Sequence, residues 1–248
     1  QYVDDVHVQG MLHAAILRSS FAHGQIRSID VNAARAMPGV HAVYTAADIA
    51  LTSNGRVPKV PLRFARLPEL EPFEQPVLAG EKVRYVGEPI AMVVADTVAL
   101  AEDACDAIEV DIEPLPAVPD RYAACRDEVL LFEEQGSNRT ITYTAAKGDA
   151  GCVKAPYVRR ERFSVQRHSA ICMEPRGLLA VWDGPRTSLT VTGAAKLPFT
   201  TRRLLAQRLD LPEECVQMIE VDVGGGFGVR GEFYPEDYLV PFAARKLN

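Results

Sequence analysis

The chain has 248 residues, of which 48% are apolar and 24% charged, with a formal net charge of −6. That length accommodates one large or two ordinary domains at roughly 100–200 residues each, and the proportions are those of a packed globular protein rather than a disordered one. The negative balance argues against a general nucleic-acid or anionic-membrane surface, and no apolar run reaches the roughly 18 residues of a membrane span.

In chain order, Met11–Arg18 is apolar and reads as a strand, with a loop over Ser19–Gly24. Ile26–Val31 alternates with period two, the sign of a half-buried strand. Asn32–Met37 reads as a short helix with Asn32 as its cap and Pro38-Gly39 as its stop. Val40–Tyr44 is a further strand, and Thr45-Ala46-Ala47-Asp48 opens a helical turn. The prolines of Val57–Pro76 predict an extended loop without regular structure. Val83–Val86, the turn Gly87-Glu88-Pro89 and the apolar run Ile90–Ala95 follow, the last reading as a buried strand. Asp96 and Thr97 are candidate caps for a helix over Val98–Ile108, and Val110–Glu113 alternates as a strand before Pro114, Pro116 and Pro119.

Residues 1–118 therefore read as a small α+β domain. Residues 119–155 are polar with few signals, which places a linker there. From 156 to 248 the character changes. Tyr157–Gln166 alternates as a strand with one wet face, Leu178–Val181 and Leu189–Thr192 read as paired strands, and Pro198–Leu209 has helical spacing broken by Asp210-Leu211-Pro212. Val216–Val223 reads as a strand running directly into a glycine triplet.

Five cysteines, Cys105, Cys125, Cys152, Cys172 and Cys215, include no CxxC pair. They fit free thiols in a reducing, cytoplasmic compartment and argue against an iron–sulfur or structural zinc site within this chain. The first residues, Gln1-Tyr2-Val3-Asp4-Asp5, lack an initiator Met and a signal core, so the chain reads as processed or as a fragment.

The sharpest feature is Gly224-Gly225-Gly226-Phe227-Gly228, followed by Arg230 and Glu232. Missing side chains let backbone amides approach a ligand closely, and a strand feeding such a loop ahead of a helix after Pro235 suits an anionic group or a cofactor edge. The spacing is not GxGxxG, no early βαβ unit surrounds the loop, and GxxxxGK[ST] is absent. Read physically, the run is either a tight structural turn or a ligand loop.

The loop with Arg230 beyond it resembles the one that the xanthine dehydrogenase/aldehyde oxidase family sets beside its molybdopterin cofactor. Four further stretches are similar to that family in the same order. They are His168–Gly177, ending in Met173-Glu174-Pro175-Arg176-Gly177; the spacer Leu209-Asp210-Leu211-Pro212-Glu213-Glu214; and the pair Arg84–Ala91 and Glu109–Pro116, which resembles the hammerhead domain. Tyr2-Val3-Asp4-Asp5 and Ser28-Ile29-Asp30 fall in the order expected of it. The resemblance implies an α+β hammerhead domain followed by the first part of an α+β molybdopterin-binding domain, from the front of the large subunit.

The resemblance further implies a molybdenum hydroxylase, in which a molybdenum-bound hydroxide attacks an aldehyde or N-heterocycle and hydride passes to the metal centre. The cofactor is molybdopterin, alone or as a dinucleotide. Electrons then leave through iron–sulfur clusters and FAD on partner subunits. Family members carry the catalytic base, a glutamate, late in the subunit. The chain ends at Asn248, so the base is expected beyond Asn248. No residue here takes that role, and these residues alone are expected to be inactive.

Carried over residue by residue, Gly225, Gly226, Phe227 and Gly228 bind cofactor. Arg230 meets a phosphate or substrate acid, or is a surface arginine. Glu232 binds substrate, or is a solvated charge. Glu174 faces the site, or pairs with Arg176 or another cation. One departure is plain: where many relatives have a glutamine that bonds a molybdenum oxygen ligand, Ala194-Ala195-Lys196-Leu197-Pro198-Phe199 places Lys196, a donor only, either as a cofactor contact or on the surface. The competing reading is a non-catalytic assembly or docking module of the same family. The apolar run Tyr238–Ala244 predicts a helix needing a neighbour, hence self-association or pairing with the rest of the subunit.

Overall fold

The computed structural model describes residues 1–52, 55–62, 67–148, 156–165, 168–193 and 195–248. Its elements in chain order are β1 (His13–Arg18), β2 (Gly24–Asp30), α1 (Asn32–Arg35), β3 (Val40–Thr45), α2 (Ala46–Thr52), β4 (Lys59–Val60), β5 (Gln75–Pro76), β6 (Lys82–Val83), β7 (Pro89–Ala95), α3 (Val98–Asp106) and β8 (Glu109–Pro114). After these come α4 (Arg121–Ala124), β9 (Leu178–Asp183), β10 (Ser188–Gly193), α5 (Pro198–Leu209), β11 (Val216–Ile219) and α6 (Pro235–Leu247). Helices and short open sheets are mixed throughout, the α+β arrangement expected.

The apolar run Pro89–Ala95 becomes the central strand of an antiparallel sheet ordered β1-β7-β3. All its residues are buried because both faces are covered. Ala91, Val93 and Ala95 point toward Ala101, Ala104 and Cys105 of α3, while Met92 and Val94 point the other way. A strand covered on both faces loses the alternation of a half-wet one. Thr97 caps α3 by accepting a hydrogen bond from the Leu100 amide. A second antiparallel sheet, β6-β2-β8, closes over Ile26, Ala79, Val83 and Ile90.

Met92 and Val94 meet Leu189 and Val191 of β10, Leu205 and Leu209 of α5, and Tyr238, Leu239 and Phe242 of α6 in one continuous core. Residues from both ends of the chain thus share an interior. The helix expected to expose an apolar face instead buries it. Tyr238, Leu239, Phe242 and Ala243 lie against the chain's own sheet, so α6 supplies no argument for self-association. Its first turn carries Glu236 and Asp237 and its last Arg245 and Lys246, matching the helix dipole.

The third sheet is ordered β11-β10-β9, with β9 antiparallel and β11 parallel to β10. Parallel neighbours need a crossover, and α5 provides it, burying Thr201, Leu205 and Leu209 at four-residue spacing. The glycine loop therefore does follow a βαβ unit, contrary to the expectation from sequence. The strand leading to the loop is shorter than Val216–Val223, because its ladder with β10 ends at the Thr192–Ile219 pair.

Three other expectations change. Between 57 and 76, the pairing of β4 with β5 and a 3-10 helix over Pro68–Phe73 replace the unstructured loop; residues 63–66 lie outside the described residues. Pro68 enters at the helix start, where its missing N–H is harmless. Asn32 does not cap α1, whose N-cap is Val31; the Asn32 amide instead donates to Asp30 Oδ1 at 2.9 Å. No strand forms over 156–165, where the backbone is exposed and has no ladder; Gln166 lies outside the described residues.

The polar stretch after residue 119 is more organised than its composition implies. Asn138 donates to the carbonyls of Ala124 and Val129 and accepts from the Leu131 amide. The Arg84 guanidinium lies 4.4 Å from the Phe132 ring centroid and bonds the Leu131 carbonyl, tying this stretch to the first domain. Cys105, Cys125, Cys172 and Cys215 are free thiols, and Cys152 lies outside the described residues.

Candidate functional site

The glycine loop hangs from the end of β11 and is held from one side by Met173-Glu174-Pro175-Arg176. Glu174 Oε2 accepts from the Gly224 amide at 2.7 Å and from Arg230 Nη2 at 2.7 Å. Arg230 Nη2 also donates to the Glu174 carbonyl at 2.8 Å, and its Nε donates to the Gly225 carbonyl at 2.6 Å. Arg230 is only 5% exposed. It is not a surface arginine, and Glu174 pairs with it rather than with Arg176. Among the described residues, two atoms of this pair, Glu174 Oε1 and Arg230 Nη1, have no hydrogen-bond partner.

Arg176 secures the far side of the loop. It bonds Asp237 at 2.8 and 2.9 Å, lies 3.6 Å from Glu236, and stacks 4.0 Å from the Tyr234 ring centroid. The Tyr234 hydroxyl in turn donates to the Val229 carbonyl at 2.6 Å. Burial raises the Asp237 carboxyl above its usual range, and the adjacent Arg176 partly reverses this. Thus a five-residue motif braces the loop at its start through Glu174 and at its exit through Arg176.

The loop's other side is open. A Cβ on Gly226 or Gly228 would meet nothing within 4 Å, whereas one on Gly224 would lie 2.4 Å from Glu174 Cβ and one on Gly225 3.2 Å from Cys172 Cβ. Gly225 and Gly228 have φ of +115° and +96°, conformations that need glycine. Phe227 also takes a positive φ, 43°, and is 77% exposed. Among the described residues, nothing accepts a hydrogen bond from the amides of Gly225, Gly226, Phe227 or Gly228. Strained backbone with free amides on an open face is organised for a ligand rather than for internal packing.

Lys196 is brought to the same place. Its amide donates to the Arg230 carbonyl at 3.1 Å, and its side chain packs on Gly231 while remaining exposed. Ala194, before it, lies outside the described residues. Glu232 is exposed just beyond. Asn248 takes no part in the site. It closes α6, its amide donating to the Ala244 carbonyl at 3.1 Å, and its side chain lies against Gly184, in the turn between β9 and β10.

Sequence reasoning missed Glu220, which accepts from the Ala195 amide at 3.0 Å and whose carboxyl is raised by burial. It missed Cys172 beside Gly225 as well. No local pattern announces either contact, since both form only when distant segments close on the loop.

Residues 1–116 match the aldehyde oxidase and xanthine dehydrogenase a/b hammerhead domain, and residues 131–248 match the molybdopterin cofactor-binding domain. The chain belongs to the aldehyde oxidase and xanthine dehydrogenase family. Members of this family are molybdenum-dependent oxidoreductases that use molybdopterin. The chain is 37% identical, over 250 residues and its whole length, to the 6-hydroxypseudooxynicotine dehydrogenase complex subunit gamma of Paenarthrobacter nicotinovorans, covering 31% of that protein. It superposes on quinoline 2-oxidoreductase from Pseudomonas putida 86 with a TM-score of 0.82 at 36% identity, covering 99% of this chain and 31% of that one. On CO dehydrogenase from Oligotropha carboxidovorans the TM-score is 0.86 at 32% identity, over 100% of this chain and 32% of that one. The chain thus spans about a third of the length of these relatives.

The residues present fit the family's cofactor. Free amides and a cradle without side chains suit an oxygen-rich anionic group. No group of His, Cys, Asp and Glu among the described residues is arranged to hold a metal ion directly.

Proposed function

We propose that this chain forms one wall of the molybdopterin site in the large subunit of a molybdenum hydroxylase that oxidises a small aldehyde or N-heterocycle. The observation that carries this reading is the open face of Gly224–Gly228, with four amides unpaired among the described residues and no Cβ contact at Gly226 or Gly228. When bound, the cofactor supplies the two-electron redox chemistry. The chain's own residues hold and orient it. The amides of Gly225, Gly226, Phe227 and Gly228 donate to its oxygens, the Phe227 ring forms a pocket wall, and Lys196 donates to an oxygen or to an anionic substrate. Arg230 keeps the loop in shape, and Glu232 lies at the substrate side.

In this reading residues 1–118 are the hammerhead unit, 119–155 the crossing and 156–248 the front of the cofactor unit. The catalytic base is a glutamate contributed from beyond Asn248. Iron–sulfur clusters and FAD on partner subunits carry the electrons away, and the remainder of the subunit completes the pocket.

Expression of the whole subunit with its partner subunits in a host that makes molybdopterin tests this. Metal analysis and fluorescence of the oxidised pterin should find one cofactor per subunit, and turnover should follow with an aldehyde or N-heterocycle. A folded complex free of molybdenum and pterin would refute the reading.

A further inference from the structure

We infer that Arg18, on the hammerhead, is a positioning residue for the glycine loop: through Glu236 and Arg176 it fixes the loop's exit. The inference rests on the molybdopterin reading and deepens it, because a chain of charges that starts on the first domain ends at the loop. Arg18 stands at the end of β1, where the register with β7 shifts between Leu17 and Arg18. Such a shift re-aims the side chain that follows it. The Gly87-Glu88-Pro89 turn receives Arg18. The Ser19 amide donates to the Glu88 carbonyl at 2.9 Å, and the Gly87 amide donates to the Ser19 carbonyl at 2.8 Å. The fully buried Glu88 carboxyl accepts from the Arg84 amide and closes the turn. Arg18 Nη1 donates to the Gly87 carbonyl at 3.0 Å, and Nη2 donates to Oε1 of Glu236, in the first turn of α6.

Glu236 passes the contact on. Its Oε2 lies 3.6 Å from Arg176 Nη1, so one carboxylate stands between two guanidinium groups from different parts of the chain. Arg176 also holds Asp237 and stacks on Tyr234, whose hydroxyl holds the Val229 carbonyl next to Gly228. Burial raises the Asp237 carboxyl, Arg176 lowers it again, and Glu236 beside it adds to the rise. Two arginines thus answer two crowded carboxylates. Without Arg18, Glu236 draws Arg176 toward itself and away from Asp237 and Tyr234, and the hold on Val229 slackens. The Arg18 side chain is 42% exposed, and an ion pair this wet adds little to stability. Its effect is therefore one of placement. A displacement of about 1 Å at a reacting centre costs up to about a hundredfold in rate.

The test uses the full complex purified from a molybdopterin-producing host, with rates expressed per bound molybdenum. Arg18→Gln should lower kcat about tenfold, with KM and cofactor content close to wild type. Glu236→Gln should do the same, and the double variant should lose no more than either single change, because both break one chain. Arg27→Gln removes an exposed ion pair with Glu113 inside the hammerhead and should keep the wild-type kcat. A wild-type kcat in Arg18→Gln would overturn the inference whatever the melting temperature, since Arg18 would then be only a staple between domains. Multiplying losses in the double variant, or an equal loss in Arg27→Gln, would overturn it too. If the neutral variants do not assemble, Arg18→Lys decides. It keeps the charge but cannot bridge Gly87 and Glu236 together, so a reduced kcat at full loading supports the inference and a wild-type kcat overturns it. A wild-type complex without pterin or without turnover would defeat the molybdopterin reading itself. An active, fully loaded wild type with unaffected variants defeats this inference alone.

Discussion

Tyr44, on β3, meets Phe242, on α6, edge to face with ring centroids 5.2 Å apart. The contact joins the sheet of the hammerhead to the last helix of the cofactor unit, in a core that also holds Met92, Val94, Leu189 and Leu205.

Truncating Phe242 to alanine is expected to destabilise the chain by about 3–5 kcal/mol, the usual range for a buried phenylalanine. Because the core is shared, both units should lose stability together, in one transition. Denaturant unfolding followed by hydrogen exchange checks this. Exchange confined to one unit would contradict a common core.

The glycines of the loop separate packing from ligand space. Gly224→Ala places a methyl 2.4 Å from Glu174 Cβ, and overpacking of this kind costs about 1–3 kcal/mol. Gly226→Ala meets nothing within 4 Å, so stability should stay within about 0.5 kcal/mol of wild type. In the full complex the same Gly226→Ala methyl should occupy cofactor space and lower molybdenum content. Retention of full metal by Gly226→Ala would remove the loop from the cofactor site.

Lys196 offers a reading of substrate or metal-ligand contact. Its amide is fixed by the Arg230 carbonyl at 3.1 Å, so Lys196→Gln should leave the backbone in place, and because glutamine keeps an N–H donor for a cofactor oxygen, cofactor content should change little. The catalytic efficiency should shift by about tenfold, reported as a split between kcat and KM. Unchanged kinetics would make Lys196 a surface residue.

Glu88 gives a pH prediction. It is 0% exposed, and burial raises its carboxyl above the usual range, against a smaller opposing effect of the Arg84 amide. A folded-state value above the unfolded one means that its stabilising contribution is complete below the unfolded value and is lost as pH rises through the folded one. Glu88→Gln cannot ionise. The stability of the variant relative to wild type should therefore increase as pH rises above the ordinary glutamate value of 4.5. Parallel melting curves across that range would exclude an elevated Glu88.

Much of the architecture is legible in the sequence because single elements carry their own signals. The Ile90–Ala95 run, the Thr97 cap and the four-residue spacing of α5 each specify an element locally, and each is present. The errors fall where a partner decides. Tyr157–Val165 alternates like a strand, but alternation describes a surface and a strand also needs a ladder, which no described neighbour provides. Proline density over 57–76 argues against regular structure, yet Pro68 starts a 3-10 helix and Pro76 sits in a two-residue strand. At the site, the glycine run and Met173–Gly177 are both visible in the sequence. Their relation is not, because Glu174 and Arg230 are separated by 56 positions and meet only in the folded chain.

Strand β7 has a consequence for inheritance. With Ala91, Val93 and Ala95 committed to α3, and Met92 and Val94 committed to the core around α6, its alternate positions answer to two different neighbours. The hammerhead cannot be traded between relatives as a free-standing cassette. A recombinant joined near residue 118 inherits Met92 and Val94 from one parent and Tyr238 and Phe242 from the other. Only parents whose side chains match in volume across that seam should yield viable offspring, and substitutions on its two sides should accumulate in step.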